Sequence, residues 1–360
     1  MINDDYERAV ITLHAHDSFL AVSANNAIFD ADNKHLIQNA SMQWVRSLAS
    51  AVNVKIVRSI QNLDIGPKNQ TNKELAYRNW CLDNRLFLSP INDLGPYWAA
   101  AYDDLVIPTI SEKTNERTDG HLPPPIFGFF NQIKQEYVSV RFTLFEGLNS
   151  NKIHYSDHHD TLSDTLDYLL YSLASERIRM AFRIAYSLLD KIAYLVNHYW
   201  ALNKKLGRIS FKNIWMVENK KHLLPQFENS DNLPLRGLFW LSKELFDEDI
   251  KATTSADARD LHTIRNALEH SYLRVIEGWA KPFMSPETYD SGLGITIGSD
   301  ELESKAICIM QIARMAILYV SFAIGIEEKK RKEKHPAELS FEMPLFDLKT
   351  TRKKRPPTPY

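Results

Sequence analysis

The sequence predicts an all-α protein, a helical bundle with additional helices ahead of it. Apolar residues recur three and four apart over long stretches, most clearly at Ile178, Ala181, Phe182, Ala185, Leu189, Ile192, Val196 and Tyr199, which is one face of an α-helix. Glycine is scarce, 12 in 360 residues, which argues against Gly-rich phosphate loops and dense hairpins. The apolar run 306–326 is long enough to cross a bilayer, yet Gln311 and Arg314 stand in its middle. An arginine at a bilayer centre costs about 2.5–3.5 kcal/mol even on the lenient insertion scale, so a helix buried inside a bundle is the better reading.

Residues 1–65 read as helical hairpins: amphipathic stretches such as YERAVITLHAH and MQWVRSLASAVNVKIV, parted by an Asn/Asp-rich segment. They resemble the remnant of a repeat array, without a clear second copy of any fixed period. The turn signal Asp64-Ile65-Gly66-Pro67-Lys68-Asn69 closes them. Residues 66–160 read as a helical extension, with LAYRNWCLDNRLFL, a polar loop over 111–125 ending in three prolines, and a helix over 127–148 stopped at Gly147. Residues 161–330 read as the bundle itself. Its helices are expected over 174–206 with Gly207 as the stop, over LRGLFWLSKELF after the linker SFKNIW, over 255–278 between a Ser255 cap and a Gly278 stop, and over 299–329. Residues 331–360 read as a basic, disordered tail, in which FEMPLF is an apolar patch able to dock.

With 44% hydrophobic and 24% charged residues the balance is that of a globular protein, which excludes whole-chain disorder and fibrous repeats. The formal charge of −2 is unevenly spread: ten basic and six acidic residues over 327–360 make that stretch +4 and leave −6 on the body. A surface coated in positive charge is excluded, so any nucleic-acid binding must be local. Cys81 and Cys308 lie far apart and no CxxC occurs, which rules out a disulfide framework or a cysteine-type zinc site and fits a reducing cytosol. The acidic start MINDDYERAV lacks the pattern of a signal peptide. A cytoplasmic protein with no membrane contact is expected.

Three clusters carry side chains or glycines of a chemical kind. Gly292, Gly294 and Gly298 have no strand before them and no βαβ unit around them, so they read as a flexible loop. His14, His16 and Asp17 have the HxH spacing of metal-binding barrel sites, but on a helical reading they lie on a surface helix. His154, Asp157, His158, His159 and Asp160 could hold a metal, or Asp160 or Thr161 could cap the next helix. No metal site and no cofactor is expected. No Ser/His/Asp or Cys/His triad is visible.

The segment 261–275, LHTIRNALEHSYLRV, is different. Leu261, Ile264, Leu268, Tyr272 and Val275 form an apolar stripe at helical spacing, and the opposite arc collects His262, Arg265, Asn266, Glu269 and His270. One reading is a solvated face with Arg265 and Glu269 paired four apart; the other is a site built from titratable groups. Arg265-Asn266-Ala267-Leu268-Glu269-His270 resembles the Arg-x4-His motif of the HEPN superfamily, helical-bundle ribonucleases of bacterial toxin–antitoxin, abortive-infection and CRISPR systems. His270-Ser271-Tyr272 extends it to Arg-x4-His-x-Tyr. The phrases FGFFNQIKQEYVSVRFTLFEG, LLDKIAYLVNHYW, SFKNIW and LRGLFWLSKELF are similar to one large bacterial branch, often preceded by helical, TPR-like repeats. The resemblance spans about residues 74–329.

Cutting RNA without a metal requires a group titrating near neutral pH to deprotonate the 2′-hydroxyl and a fixed positive charge for the crowded phosphorane oxygens. His270 suits the first role and Arg265, with its planar fork, the second. Asn266 could orient the imidazole or hold substrate; Glu269 could restrain Arg265, and His262 is an accessory candidate. The resemblance implies 2′,3′-cyclic phosphate products and an RNA substrate. It also implies that Tyr272 could be modified by a partner nucleotidyltransferase, although a tyrosine bordering the stripe also reads as a core or interface residue. Arg265 and His270 lie about 140° apart around the helix axis. An antiparallel pairing of two such helices would bring the arginine of one chain to the histidine of the other, so a homodimer with a composite cleft is expected, as in the resembling ribonucleases. An antitoxin or sensor partner could accompany it. The competing functions are a non-catalytic HEPN module that binds RNA, nucleotide or protein, and a structural helical adaptor.

Overall fold

The computed structural model describes residues 5–24, 34–61, 70–107, 109–112, 123–150, 152–217, 222–246, 256–283, 292–336 and 339–345. Ten α-helices dominate these residues: α1 (Asp5–Ser23), α2 (Lys34–Ala51), α3 (Val54–Gln61), α4 (Asn72–Asp83), α5 (Pro125–Leu148), α6 (Leu173–Tyr199), the single turn α7 (Pro225–Glu228), α8 (Leu233–Phe246), α9 (Ala256–His270) and α10 (Ser299–Lys334). Four short strands form two pairs. β1 (Ile110–Glu112) runs antiparallel to β4 (Leu339–Phe341), and β2 (Tyr272–Ile276) runs parallel to β3 (Gly294–Gly298), with Tyr272 opposite Gly294. The fold is all-α, as the periodicity required.

α10 is the axis of the bundle, with α5, α6, α8 and α9 packed around it. By length and composition it could cross a bilayer, but 61% of its most apolar window is buried against other elements. The two polar residues that interrupt its apolar run explain why. Arg314 is 1% exposed and donates to Phe87 O (2.5 Å), Ser89 O (2.6 Å) and Asp93 Oδ1 (2.7 Å), while Gln311 Nε2 donates to Asn84 O (2.9 Å). Both side chains close open carbonyls of the irregular segment after α4, groups that would be costly to bury unpaired.

A second arginine pins the same segment from α5. Arg141, 2% exposed, bonds both oxygens of Asp103 (2.8 and 2.6 Å), Leu86 O (2.8 Å) and the Tyr77 hydroxyl (2.9 Å). Near the end of α10, buried Glu328 accepts from Ser111 N and the Tyr199 hydroxyl, both at 2.7 Å, and so holds β1 against the bundle. One apolar core runs from Val10 on α1, through Leu82–Leu88 and α5, to Ile324 on α10. α1 packs on α2 and α3, where Arg58 reaches Asp17 at 2.6 Å.

Several boundaries differ from the sequence reading. α6 starts at Leu173, capped by the Ser172 side chain rather than by Asp160 or Thr161, and ends at Tyr199, well before Gly207. SFKNIW is no open linker: Phe211, Ile214 and Trp215 are buried, and the Trp215 indole donates to Phe211 O. α10 continues to Lys334, so the basic run after 328 is helical. The helix expected over 255–278 stops at His270, and Tyr272 and Val275 belong to β2. The glycine loop is β3, whose parallel pairing with β2 needs a residue without a side chain at Gly294, where a Cβ would stand 1.7 Å from Tyr272 O. Phe341 of the apolar patch pairs in β4. The turn signal at 64–69, Ser255 and the tail from 346 onward lie outside the described residues.

Candidate functional site

α9 rests on α6 and α8 with Leu261, Ile264 and Ala267 in the core, which fixes its rotation. His262, Arg265 and Asn266 are then half-buried beside α6, and Glu269 and His270 are exposed at the helix end. The helix closes where Ser271 N bonds Ala267 O at 3.1 Å. The chain becomes extended at Tyr272, so His270 stands at the junction of helix and strand.

Arg265 and His270 meet within one chain. Arg265 Nη1 lies 3.5 Å from His270 Nε2 and 3.1 Å from Asn266 Oδ1. The two lie about 140° apart around the helix axis, and the length of the arginine side chain is enough to span that separation within one chain. Nor does Arg265 pair with Glu269, as the solvated-face reading had it: its guanidinium turns to Asn266 and His270.

Behind this pair a row joins Asn266 and His262, both candidates from the sequence, to Tyr186, which the sequence did not single out. Asn266 Nδ2 is 3.1 Å from His262 Nε2, and His262 Nδ1 is 3.1 Å from the hydroxyl of Tyr186 on α6. The Arg265 guanidinium sits 5.7 Å from the centre of the Tyr186 ring, and Phe246 of α8 meets His262 edge-on at 5.8 Å. Asp190, one turn beyond Tyr186, accepts from Phe211 N at 2.9 Å. Burial raises its carboxyl pKa, and that hydrogen bond and the Arg265 charge oppose the rise. The Tyr186 hydroxyl is likewise pushed well up by burial and by Asp190, with Arg265 pulling the other way.

Tyr272 is half-buried on β2, its hydroxyl 3.1 Å from that of Tyr171 and its pKa pushed up to about 12 by burial and that contact. The segment carrying Tyr171 pairs with the free edge of β2 through Leu170 N to Val275 O (2.9 Å) and Glu277 N to Tyr168 O (3.1 Å). It frames a hollow of about 450 Å³ lined by residues between Leu162 and Tyr171.

The other clusters serve structure. His16 is buried on α1 and bonds Asp17 at 2.9 Å, while His14 packs edge-on to Tyr97. The His154 side chain accepts from Ser156 N, and Asp157 accepts from Leu173 N at the start of α6. Among the described residues no three His, Cys, Asp or Glu side chains gather as a metal would need.

The helical bundle of α5, α6, α8, α9 and α10 is the kind of fold a HEPN domain has. The family model described as LA2681-like HEPN matches residues 117–327, from before α5 to most of α10. That is over half of the 360 residues, and the chain belongs to the HEPN superfamily, whose members are often ribonucleases. Comparison with curated proteins and with solved structures returned no match.

Proposed function

We propose that this HEPN protein is a metal-independent endoribonuclease acting in the cytoplasm as a toxin or anti-phage, abortive-infection effector. The observation that carries the reading is the placement of Arg265 within 3.5 Å of His270 at an exposed helix end. In this mechanism His270 Nε2 takes the 2′-hydroxyl proton, and the 2′-oxygen forms a bond to the adjacent phosphorus. The bond to the 5′-oxygen breaks as protonated His270 gives that proton to the departing oxygen, leaving a 2′,3′-cyclic phosphate and a free 5′-hydroxyl. Arg265 exchanges its long contact with Nε2 for the phosphorane oxygens, where a charged donor acts most strongly in the transition state. Asn266 holds Arg265 in place, Glu269 borders the cleft, and two α9 helices paired across a homodimer axis widen that cleft for RNA.

The test incubates the wild-type chain and His270→Ala with total cellular RNA in EDTA and maps the cut ends. Wild-type cleavage leaving cyclic phosphates, reduced about 10²- to 10⁴-fold in the variant, is expected. RNA binding without cleavage by the wild type would make the chain a non-catalytic HEPN module.

A further inference from the structure

We infer that Tyr186 and His262 form the support that locks Asn266, and through it Arg265, in one orientation, which makes Tyr186 a positioning residue of the site. Its catalytic consequence rests on the ribonuclease reading above; the lock itself does not.

Hydrogen-bond polarity fixes each group in the row. A guanidinium only donates, so the Asn266 atom 3.1 Å from Arg265 Nη1 is the carbonyl oxygen Oδ1. The amide nitrogen Nδ2 must then face His262, and because it too only donates, His262 Nε2 accepts and carries no proton. The neutral ring keeps its proton on Nδ1, which donates to the Tyr186 oxygen at 3.1 Å. Each member donates to the next, from Arg265 to Asn266, to His262, to Tyr186. Arg265 Nη1 has a second hydrogen, and it points to His270 Nε2.

Tyr186 is suited to end such a row. It is 5% exposed on the long helix α6, so its hydroxyl is a fixed acceptor, and its ring face carries the same guanidinium that its hydroxyl holds indirectly. Without that hydroxyl, the Nδ1 proton loses its acceptor and the imidazole is free to take the other tautomer. An Nε2–H facing Asn266 would turn the amide over and present Nδ2 to Arg265, donor against donor. The arginine would then swing away from the place where phosphate charge develops.

The test uses the full chain in four forms: wild type, Tyr186→Phe, His262→Leu and His262→Gln. A glutamine side chain can accept from Asn266 and donate to Tyr186, whereas leucine only fills space. With an RNA the wild type cuts, kcat should fall about 10- to 100-fold in Tyr186→Phe and His262→Leu, the loss expected of a displaced catalytic group. KM should move less than about threefold, because the interaction lost is one made in the transition state. His262→Gln should restore most of kcat. Leucine at wild-type rate, or glutamine as poor as leucine, would overturn the inference. Nitrogen-15 spectra of the ring read the lock directly, with Nδ1 protonated and Nε2 bare; the reverse assignment would also overturn it. Should the wild type cut no RNA, the ribonuclease reading fails while the ring spectrum still decides the lock.

Discussion

Asp103 and Arg141 show how much one buried pair contributes here. Burial alone would raise the Asp103 pKa, but the charge and the two hydrogen bonds of Arg141 outweigh it and hold the carboxyl below its ordinary value. Asp103→Asn leaves the guanidinium charge buried without a counter-ion, which costs about 3–5 kcal/mol. Thermal unfolding of the variant checks this; an unchanged midpoint would show the pair to be dispensable. The pH dependence has a definite sign. A depressed folded-state pKa means that the pair's contribution is complete above the unfolded value of 3.8 and is lost as pH falls through the lower folded value. The wild type should therefore lose stability in acid below about pH 4, and Asp103→Asn should lack that component. Arg314 is held by the same logic but through two carbonyls as well as Asp93, so two different helices fasten the one segment after α4.

The helix-to-strand switch after His270 places the motif at an edge, and Gly294 is what lets the switch happen. A methyl there would meet the Tyr272 carbonyl oxygen, a backbone atom that cannot rotate away, whereas one added at Gly128 on α5 would meet nothing within 4 Å. Gly294→Ala should cost at least about 1–3 kcal/mol and reduce cleavage by moving β2, while Gly128→Ala should be neutral or stabilising by up to about 1 kcal/mol. Unfolding midpoints of the two variants check the contrast; equal midpoints would mean that β2 and β3 do not pair as described. The helices of the bundle were legible in the sequence because a period of 3.6 records which face is buried, and Gln311 and Arg314 marked α10 as a core helix. The switch was not legible: Tyr272 and Val275 satisfy helical spacing, β2 is buried without a break from Leu273 to Ile276 and so carries no strand alternation, and the partner strand lies some twenty residues on. Arg265, Asn266 and His270 stood out as candidates through the resemblance to the Arg-x4-His motif. Tyr186 did not, since it stands 76 residues from His262 on a helix whose pattern records only burial. The helical wheel gives the angle between Arg265 and His270 but not their 3.5 Å contact, which depends on the length of the arginine side chain.

At the scale of the whole molecule, the question is whether a second chain supplies part of the site or only part of the cleft. The core joins α1 to α10 continuously, so one protomer presents a complete apolar interior and leaves the end of α9 facing outward. A mixture of Arg265→Ala and His270→Ala chains separates the two cases. If the arginine of one chain served the histidine of the other, each mixed dimer would hold one intact pair. Equal mixing makes about half the dimers mixed, so activity would return to about a quarter of wild type in a two-fold assembly. If the pair acts within a chain, no chain in the mixture carries both groups and nothing returns. The 3.5 Å contact inside one protomer leads us to expect no return. Wild-type activity should nonetheless fall on dilution, since a dimer needed only to form the cleft dissociates by mass action. Restoration by mixing would place the pair across the axis, and undiminished activity from a species that light scattering shows to be monomeric would remove the dimer from the mechanism.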